Sequence, residues 1–243
     1  MTALLEVDGL TKRFGGITAV NDCSFAVEES TVTALIGPNG SGKTTVFNLV
    51  TGYLSVDSGT VAFAGRTVTG MDPGRLYRRG LSRTFQQARV FSDLSVRENL
   101  VVAGGGGLRE LFGRRVSRAD RARAAELLEE FRLDGVADLR AAELSFGQRK
   151  LLEFASLLMS DPRLVLLDEP TAGVNPVLID TMEAHVRARH AAGTTFLIVE
   201  HDMQFVMRLC EPVIVLDRGA RITSGTPAEV QNDPRVLDAY LGE

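Results

Sequence analysis

An α/β fold is predicted for this chain of 243 residues: a largely parallel sheet flanked by helices and broken by a helical insertion. Three observations predict it. Short apolar runs alternate with helical patterns, the order that builds parallel sheets from strand–helix–strand units. The string GPNGSGKTT at residues 37–45 follows the apolar run 32–36 and opens a helix-like segment, so strand, tight glycine loop and helix come in succession. Between about residues 88 and 160 the apolar spacing turns mostly helical.

Each element can be argued in order. Residues 4–7 and 24–27 are strand candidates, 32–36 is a stronger one, and 59–64 is another that Gly65 ends; the early strands predict a small N-terminal β subdomain. The helix after the glycine loop runs from Thr44 to residue 50. Ser95 and Glu98 have the spacing of a capping box ahead of NLVVA. Residues 104–107 are all glycine and predict a flexible break or turn. Residues 117–131 place Ala124, Leu127, Leu128 and Phe131 at helical spacing, and 147–159 reads as a helix that ends before Pro162. The core resumes with a strand at 164–167, a helix at 177–190, a strand at 194–199, a helix at 204–209 and late strands at 213–216 and 221–224. The tail, about 228–243, predicts one or two helical turns, docked on its own domain or on a second copy. The whole chain, 1–243, reads as one domain with residues 88–160 as a helical subdomain within it, and no internal repeat is visible.

Composition narrows the function. Apolar residues make up 44% and charged residues 24%, as in a globular protein. Lys plus Arg total 27 against 31 for Asp plus Glu, a net charge of -4, which gives no global case for nucleic-acid binding. The two cysteines, Cys23 and Cys210, lie far apart and suit a reducing compartment rather than a disulfide scaffold. The N-terminus does not look like a secretory signal, and no stretch approaches the ~20 apolar residues of a membrane span.

Residues 37–44 fit the full G-x-x-x-x-G-K-[ST] pattern. Glycines at 37, 40 and 42 let the backbone amides of the loop, including those of Asn39 and Ser41, face a phosphate, and the following helix adds the positive end of its dipole. Lys43 is expected at the β- and γ-phosphates, Thr44 at Mg2+, and Thr45 at the α-phosphate. LVLLDEP at 164–170 carries Asp168 to a strand end, where it holds the Mg2+ shell, and leaves Glu169 to orient or deprotonate an attacking water. His201 follows FLIVE and is expected to contact the γ-phosphate or hold that water, the alternative being a capping or surface histidine. His185 and His190 are expected at the surface or at a helix cap.

These residues, together with LSFGQ at 144–148, resemble the ATP-binding subunit of the ABC transporter family. GPNGSGKTT resembles its Walker A motif, LVLLDEP its Walker B motif with the adjacent catalytic glutamate, and LSFGQ its LSGGQ signature, with Phe146 in place of a glycine. The resemblance implies ATP and Mg2+ as cofactors. It implies that Gln86 lies in the glutamine loop, at the metal or the attacking water, that His201 is the switch histidine, and that Phe14 stacks on adenine. A core aromatic is the competing reading for Phe14. Residues 171–176, TAGVNP, resemble the loop that crosses the dimer interface, with Asn175 where many members carry aspartate. The signature implies a second ABC ATPase subunit, homo- or heterodimeric, whose ATP is closed over by Ser145, Gly147 and Gln148. Transmembrane permease subunits are the implied anchor, contacted near residues 86–100 with Arg89, Phe91 and Leu94 as candidate contacts, or these pack ordinarily.

The strings RTFQQARVFSDLSVRENL, EPTAGVNP, LIVEHDMQFVM and GTPAEVQNDPRVLDAYLGE are similar to the branched-chain amino-acid uptake branch, in particular its larger ATPase subunit. This implies import driven from the cytoplasmic face of the membrane, with a periplasmic or extracellular binding protein delivering the substrate. Urea or amide uptake and lipopolysaccharide export share much of the wording and remain alternatives. A soluble ribosome- or DNA-acting ABC ATPase fits less well, because the chain has one motif set and no room for a long coiled coil. A GTPase would need an NKxD-like string, which is not seen.

Overall fold

A computed structural model describes residues 3–84, 90–106 and 117–241. Two long antiparallel strands open the chain, β1 (Ala3–Phe14) and β2 (Ile17–Glu28), joined by a two-residue turn in which Gly15 takes a φ of 56°. They are much longer than the apolar runs suggest, because their outer halves mix exposed Arg13, Thr18, Asn21 and Asp22 with buried Leu10, Lys12 and Val20. With β4 (Ser58–Phe63) and β5 (Arg66–Thr67) they form a four-stranded antiparallel sheet in the order β2-β1-β4-β5.

The second sheet has six strands: β3 (Val32–Ile36), β6 (Leu81–Arg83), β7 (Leu164–Asp168), β8 (Thr195–Val199), β9 (Val213–Asp217) and β10 (Ala220–Gly225). Their order is β10-β9-β3-β8-β7-β6, parallel except for β10, which turns back against β9. Both faces are covered, so β3, β7 and β8 are buried along their whole length and read as unbroken apolar runs. Alternate residues divide between two cores. Ala34, Ile36, Val165, Leu167, Phe196 and Ile198 face the helical layers. Leu35, Leu164, Leu166, Leu197 and Val199 pack with the N-terminal sheet and helix α1 (Lys43–Val50). Strand β6 escapes the sequence pattern because three residues are too few to show a period.

A short helix α2 (Pro73–Tyr77) precedes β6. Between residues 90 and 160 the described residues hold helices α3 (Val96–Val101), α4 (Arg118–Glu130) and α5 (Phe146–Leu157), and no named strand. The capping box of Ser95 and Glu98 forms as its spacing predicts. The glycine run departs from expectation. Val102–Gly106 continues α3 as a π-helical turn instead of breaking it, and Tyr77 Oη donates to the Ala103 carbonyl there. Gly107 lies outside the described residues.

Helix α6 (Pro176–Ala191) and helix α7 (Met203–Leu209) follow β7 and β8. His185 is not the surface residue its sequence context suggests. Its ring stacks on Phe131 at 4.0 Å and 11°, with Phe154 edge-on to Phe131 at 5.5 Å, so it joins the aromatic seam between α6 and the helical segment. Burial there holds its imidazole below the usual histidine range. His190 sits in the last turn of α6, its Nε2 2.9 Å from the Ser30 carbonyl. The tail folds as α8 (Pro227–Gln231) and α9 (Pro234–Leu241) on its own domain: Val230 and Val236 enter the core, and Arg235 donates to Thr223 Oγ1 of β10 at 2.9 Å. Both cysteines are buried and free, with burial pushing the Cys23 thiol to about 11 and Cys210 to about 12, a shift that disfavours the nucleophilic thiolate.

Candidate active site

Parallel strands send their C-terminal ends to one edge, where open α/β sheets bind ligands. β3, β8 and β7 are neighbours, so the glycine loop after β3, His201 after β8 and Asp168–Glu169 at the end of β7 arrive at the same edge. Sequence distance disappears because of strand order alone.

The loop is built for close backbone approach. Gly37 has a φ of 151°, and a Cβ there would stand 2.1 Å from the Leu216 carbonyl oxygen. Gly42 has a φ of 99° and would clash with the Ala19 carbonyl at 2.6 Å. It also caps α1 with no side chain, so the first amides of the helix are not taken up by a capping group. Gly40 is different: nothing lies within 4 Å of its would-be Cβ, which leaves the loop's open side clear. Lys43 is buried and turns back into the loop, donating to the carbonyls of Gly37 at 2.7 Å and Pro38 at 2.8 Å and approaching Ser41 Oγ at 3.4 Å. Thr44 is exposed and Thr45 half-buried in the first turn of α1. Beside the loop a cavity of about 480 Å3 is lined by Asn39, Gly40 and Ser41, by Arg218, and by Arg235 and Asp238 of the C-terminal helix.

Asp168 is buried, and its amide donates to Thr84 Oγ1 at 2.9 Å. Burial raises its carboxyl above the ordinary range, and Arg83 opposes that shift from 3.1 Å. Glu169 takes a φ of 47°, a left-handed conformation rare outside glycine, and its amide donates to the Val199 carbonyl at 2.9 Å. The strain turns the chain sharply as it leaves β7. His201 leaves its side chain 64% exposed, with Nδ1 3.8 Å from Glu200 Oε2. Phe14 is 47% exposed at the end of β1 with Lys12 Nζ 5.6 Å from its ring centre, which removes the core-aromatic reading. Gln86 and Arg89 lie outside the described residues.

Ser145 caps α5 through a second capping box: its hydroxyl accepts from the Gln148 amide at 3.2 Å, and Gln148 Oε1 accepts from the Ser145 amide at 2.9 Å. Ser145 and Phe146 are exposed, and a Cβ on Gly147 would meet Leu178 at 3.1 Å. The Phe146 ring lies where a Cβ on Gly173 would touch it at 3.7 Å, so the aromatic replacement packs toward the loop after β7. Asn175 caps α6, accepting from the Leu178 amide at 2.9 Å, with Pro176 in the first turn. Two residues beside the site belong to none of the phosphate-loop, Walker-type or signature motifs. Arg83 is held by Asn48, Thr51 and Asp168, and Glu200 is fully buried among backbone donors. The only sequence signal for Glu200 is its position beside His201, and for Arg83 its position before the glutamine string.

The sequence model of the ABC transporter family matches residues 20–172, and one described as branched-chain amino acid ATP-binding cassette transporter matches residues 220–243. The chain is 40% identical over 250 residues to the high-affinity branched-chain amino acid transport ATP-binding protein BraF of Pseudomonas aeruginosa, covering 99% of this chain and 98% of that one. It is 38% identical over 252 residues to the corresponding protein LivG of Escherichia coli, with the same coverage. Among solved structures, an ATP-binding cassette of an ABC transporter in its ADP conformation superposes with a TM-score of 0.88 at 35% identity over 100% of both chains. A nucleotide-free cassette superposes equally well at 34% identity. A dimeric cassette bound to ADP and Pi, at 23% identity and a TM-score of 0.78, shares the fold. Motifs, sheet order and full-length similarity agree: this chain belongs to the ABC transporter family, as one of its ATP-binding subunits.

Proposed function

We propose that this chain hydrolyses ATP to drive import of branched-chain amino acids through partner permease subunits. The observation that carries the catalytic part is the convergence of Lys43, Asp168, Glu169 and His201 at the C-terminal ends of three adjacent parallel strands. Substrate class rests on the branched-chain relatives and on the matched C-terminal segment.

The donor set suits a magnesium nucleotide. Hard oxygen ligands are available from the exposed Thr44 hydroxyl and the Asp168 carboxylate, and the uncapped start of α1 favours anions. Magnesium held by Thr44 and Asp168 would supply positive charge to offset that of the phosphates. Lys43 exchanges loop carbonyls for phosphate oxygens, Phe14 offers an exposed ring to the base, and Glu169 orients the attacking water with His201 facing it. Gln86 joins that set.

Ser145, Gly147 and Gln148 serve the nucleotide of a second subunit, so that two subunits close head to tail around ATP. The exposure of Ser145 and Phe146 supports this reading. We take residues 88–160 as a helical subdomain that carries the signature and meets the permease. A cleft of about 290 Å3 at its root is lined by Tyr53, Tyr77, Arg83, Ala103 and Leu157, and Phe91 is exposed close by in sequence. Among the described residues no helix is long and apolar enough to cross a membrane. In this reading the chain attaches to the cytoplasmic face through the permease. A periplasmic or extracellular binding protein supplies the amino acid.

Proteoliposomes with this subunit, its permease partners and the binding protein test the assignment. ATP-dependent uptake of labelled leucine, lost in Glu169→Gln, is the expected result. ATPase activity without leucine uptake would move the substrate to urea, amides or lipids.

A further inference from the structure

Glu200 is fully buried just past the end of β8 and is not one of the residues assigned above to the nucleotide. Its two oxygens serve two different loops. Oε1 accepts from the Thr171 amide at 2.8 Å and from the Thr171 hydroxyl at 2.6 Å. Oε2 accepts from the His201 amide at 2.9 Å and from the Asp202 amide at 3.2 Å. Thr171 begins the loop that leads through Gly173 to Asn175, and His201 is the histidine of the site. Asp202 then caps α7 through Gln204 and Phe205, so the histidine is held between an anchored amide and an anchored helix start.

We propose that Glu200 is a positioning residue that fixes the Thr171 loop and His201 in one geometry relative to Glu169. The carboxylate suits this task because three of its four donors are backbone amides, which can only donate. The His201 side chain is largely exposed, so packing does little to place it, and its main chain must be held instead. The Glu169 main chain is tied to the same strand through Val199, the residue before Glu200. One strand end therefore references the catalytic carboxylate, the histidine and the loop that runs to the dimer face. This inference rests on the ATPase reading above for its catalytic consequence, but not for its structural one.

A glutamine at this position gives a sharp test. Its amide NH2 has to face one of the two loops. Turned toward His201 and Asp202, it opposes two amides. Turned toward Thr171, it opposes one, because the threonine hydroxyl can rotate to accept. The second arrangement costs less, so Glu200→Gln releases the Thr171 amide and keeps the histidine arm.

Two readouts on the purified full chain decide it. Amide hydrogen exchange by NMR is expected to quicken at Thr171 by about tenfold in Glu200→Gln, with His201 and Asp202 still protected. For ATP hydrolysis, kcat is expected to fall by about 10- to 100-fold with ATP affinity retained, the pattern of displaced groups rather than a lost binding contact. Unchanged exchange at all three amides would overturn the proposal, as would wild-type kcat in the variant. A global collapse is recognised by exchange rising throughout the sheet and by loss of ATP affinity, and that too would overturn the positioning role. Exchange does not require turnover, so a wild-type chain that fails to hydrolyse ATP would count against the proposed function while the exchange result still judges Glu200.

Discussion

Arg83 Nη2 stands 3.1 Å from Asp168 Oδ2, in a pair whose side chains are only 7% and 3% exposed. The rest of the guanidinium is occupied by Asn48 Oδ1 at 2.7 Å, Thr51 Oγ1 at 2.8 Å and the Thr84 carbonyl at 3.0 Å, and it lies against Phe47 and Tyr53. Arg83 thus joins the helix after the phosphate loop to the acidic strand end. Removing one partner of such a pair strands a buried charge. Arg83→Gln is expected to lower unfolding stability by about 3–5 kcal/mol in urea titrations. Arg83→Gln combined with Asp168→Asn should recover much of that loss, since no lone charge is left.

The proposed roles of Lys43 and Glu169 predict that binding and chemistry separate. If Lys43 contacts phosphate as proposed, Lys43→Ala is expected to weaken ATP binding by about 10- to 100-fold in a fluorescence titration. Glu169→Gln is expected to keep ATP affinity, lose hydrolysis by about 100-fold or more, and elute as a stable dimer with ATP in size-exclusion chromatography.

Asn175 caps α6 with a neutral side chain, accepting from the Leu178 amide at 2.9 Å. Asn175→Ala should cost about 1 kcal/mol in thermal or chemical unfolding. Asn175→Asp preserves the acceptor and adds a negative charge at a helix N-terminus, so its stability should match or exceed that of the wild type.

His185 makes stability depend on pH. Burial beside Phe131 holds its folded-state pKa below the unfolded value near 6.5. The unfolded chain therefore binds the extra proton first. The contribution of the neutral, stacked ring is complete above about pH 6.5 and is lost as pH falls from there toward the lower folded value. Urea midpoints from pH 7.5 downward should show this decline, and His185→Phe should flatten it.

The phosphate loop, the Walker-type strand, the capping box at Ser95 and most helices were legible in the chain itself, because each depends on residues within a few positions of one another. GPNGSGKTT, for example, carries its own strand, turn and helix start. Only the tertiary structure decided the rest. Arg83 meets Asp168 across 85 positions, Thr171 meets Glu200 across 29, and His185 finds Phe131 through the packing of α6 on the helical segment. Nor could the tail's docking on its own β10 be read from its composition. Local hydrogen-bonding rules and hydrophobic period are written residue by residue, whereas the partner of a buried charge is set by which strands lie side by side, and that order emerges only when both faces of the sheet are covered.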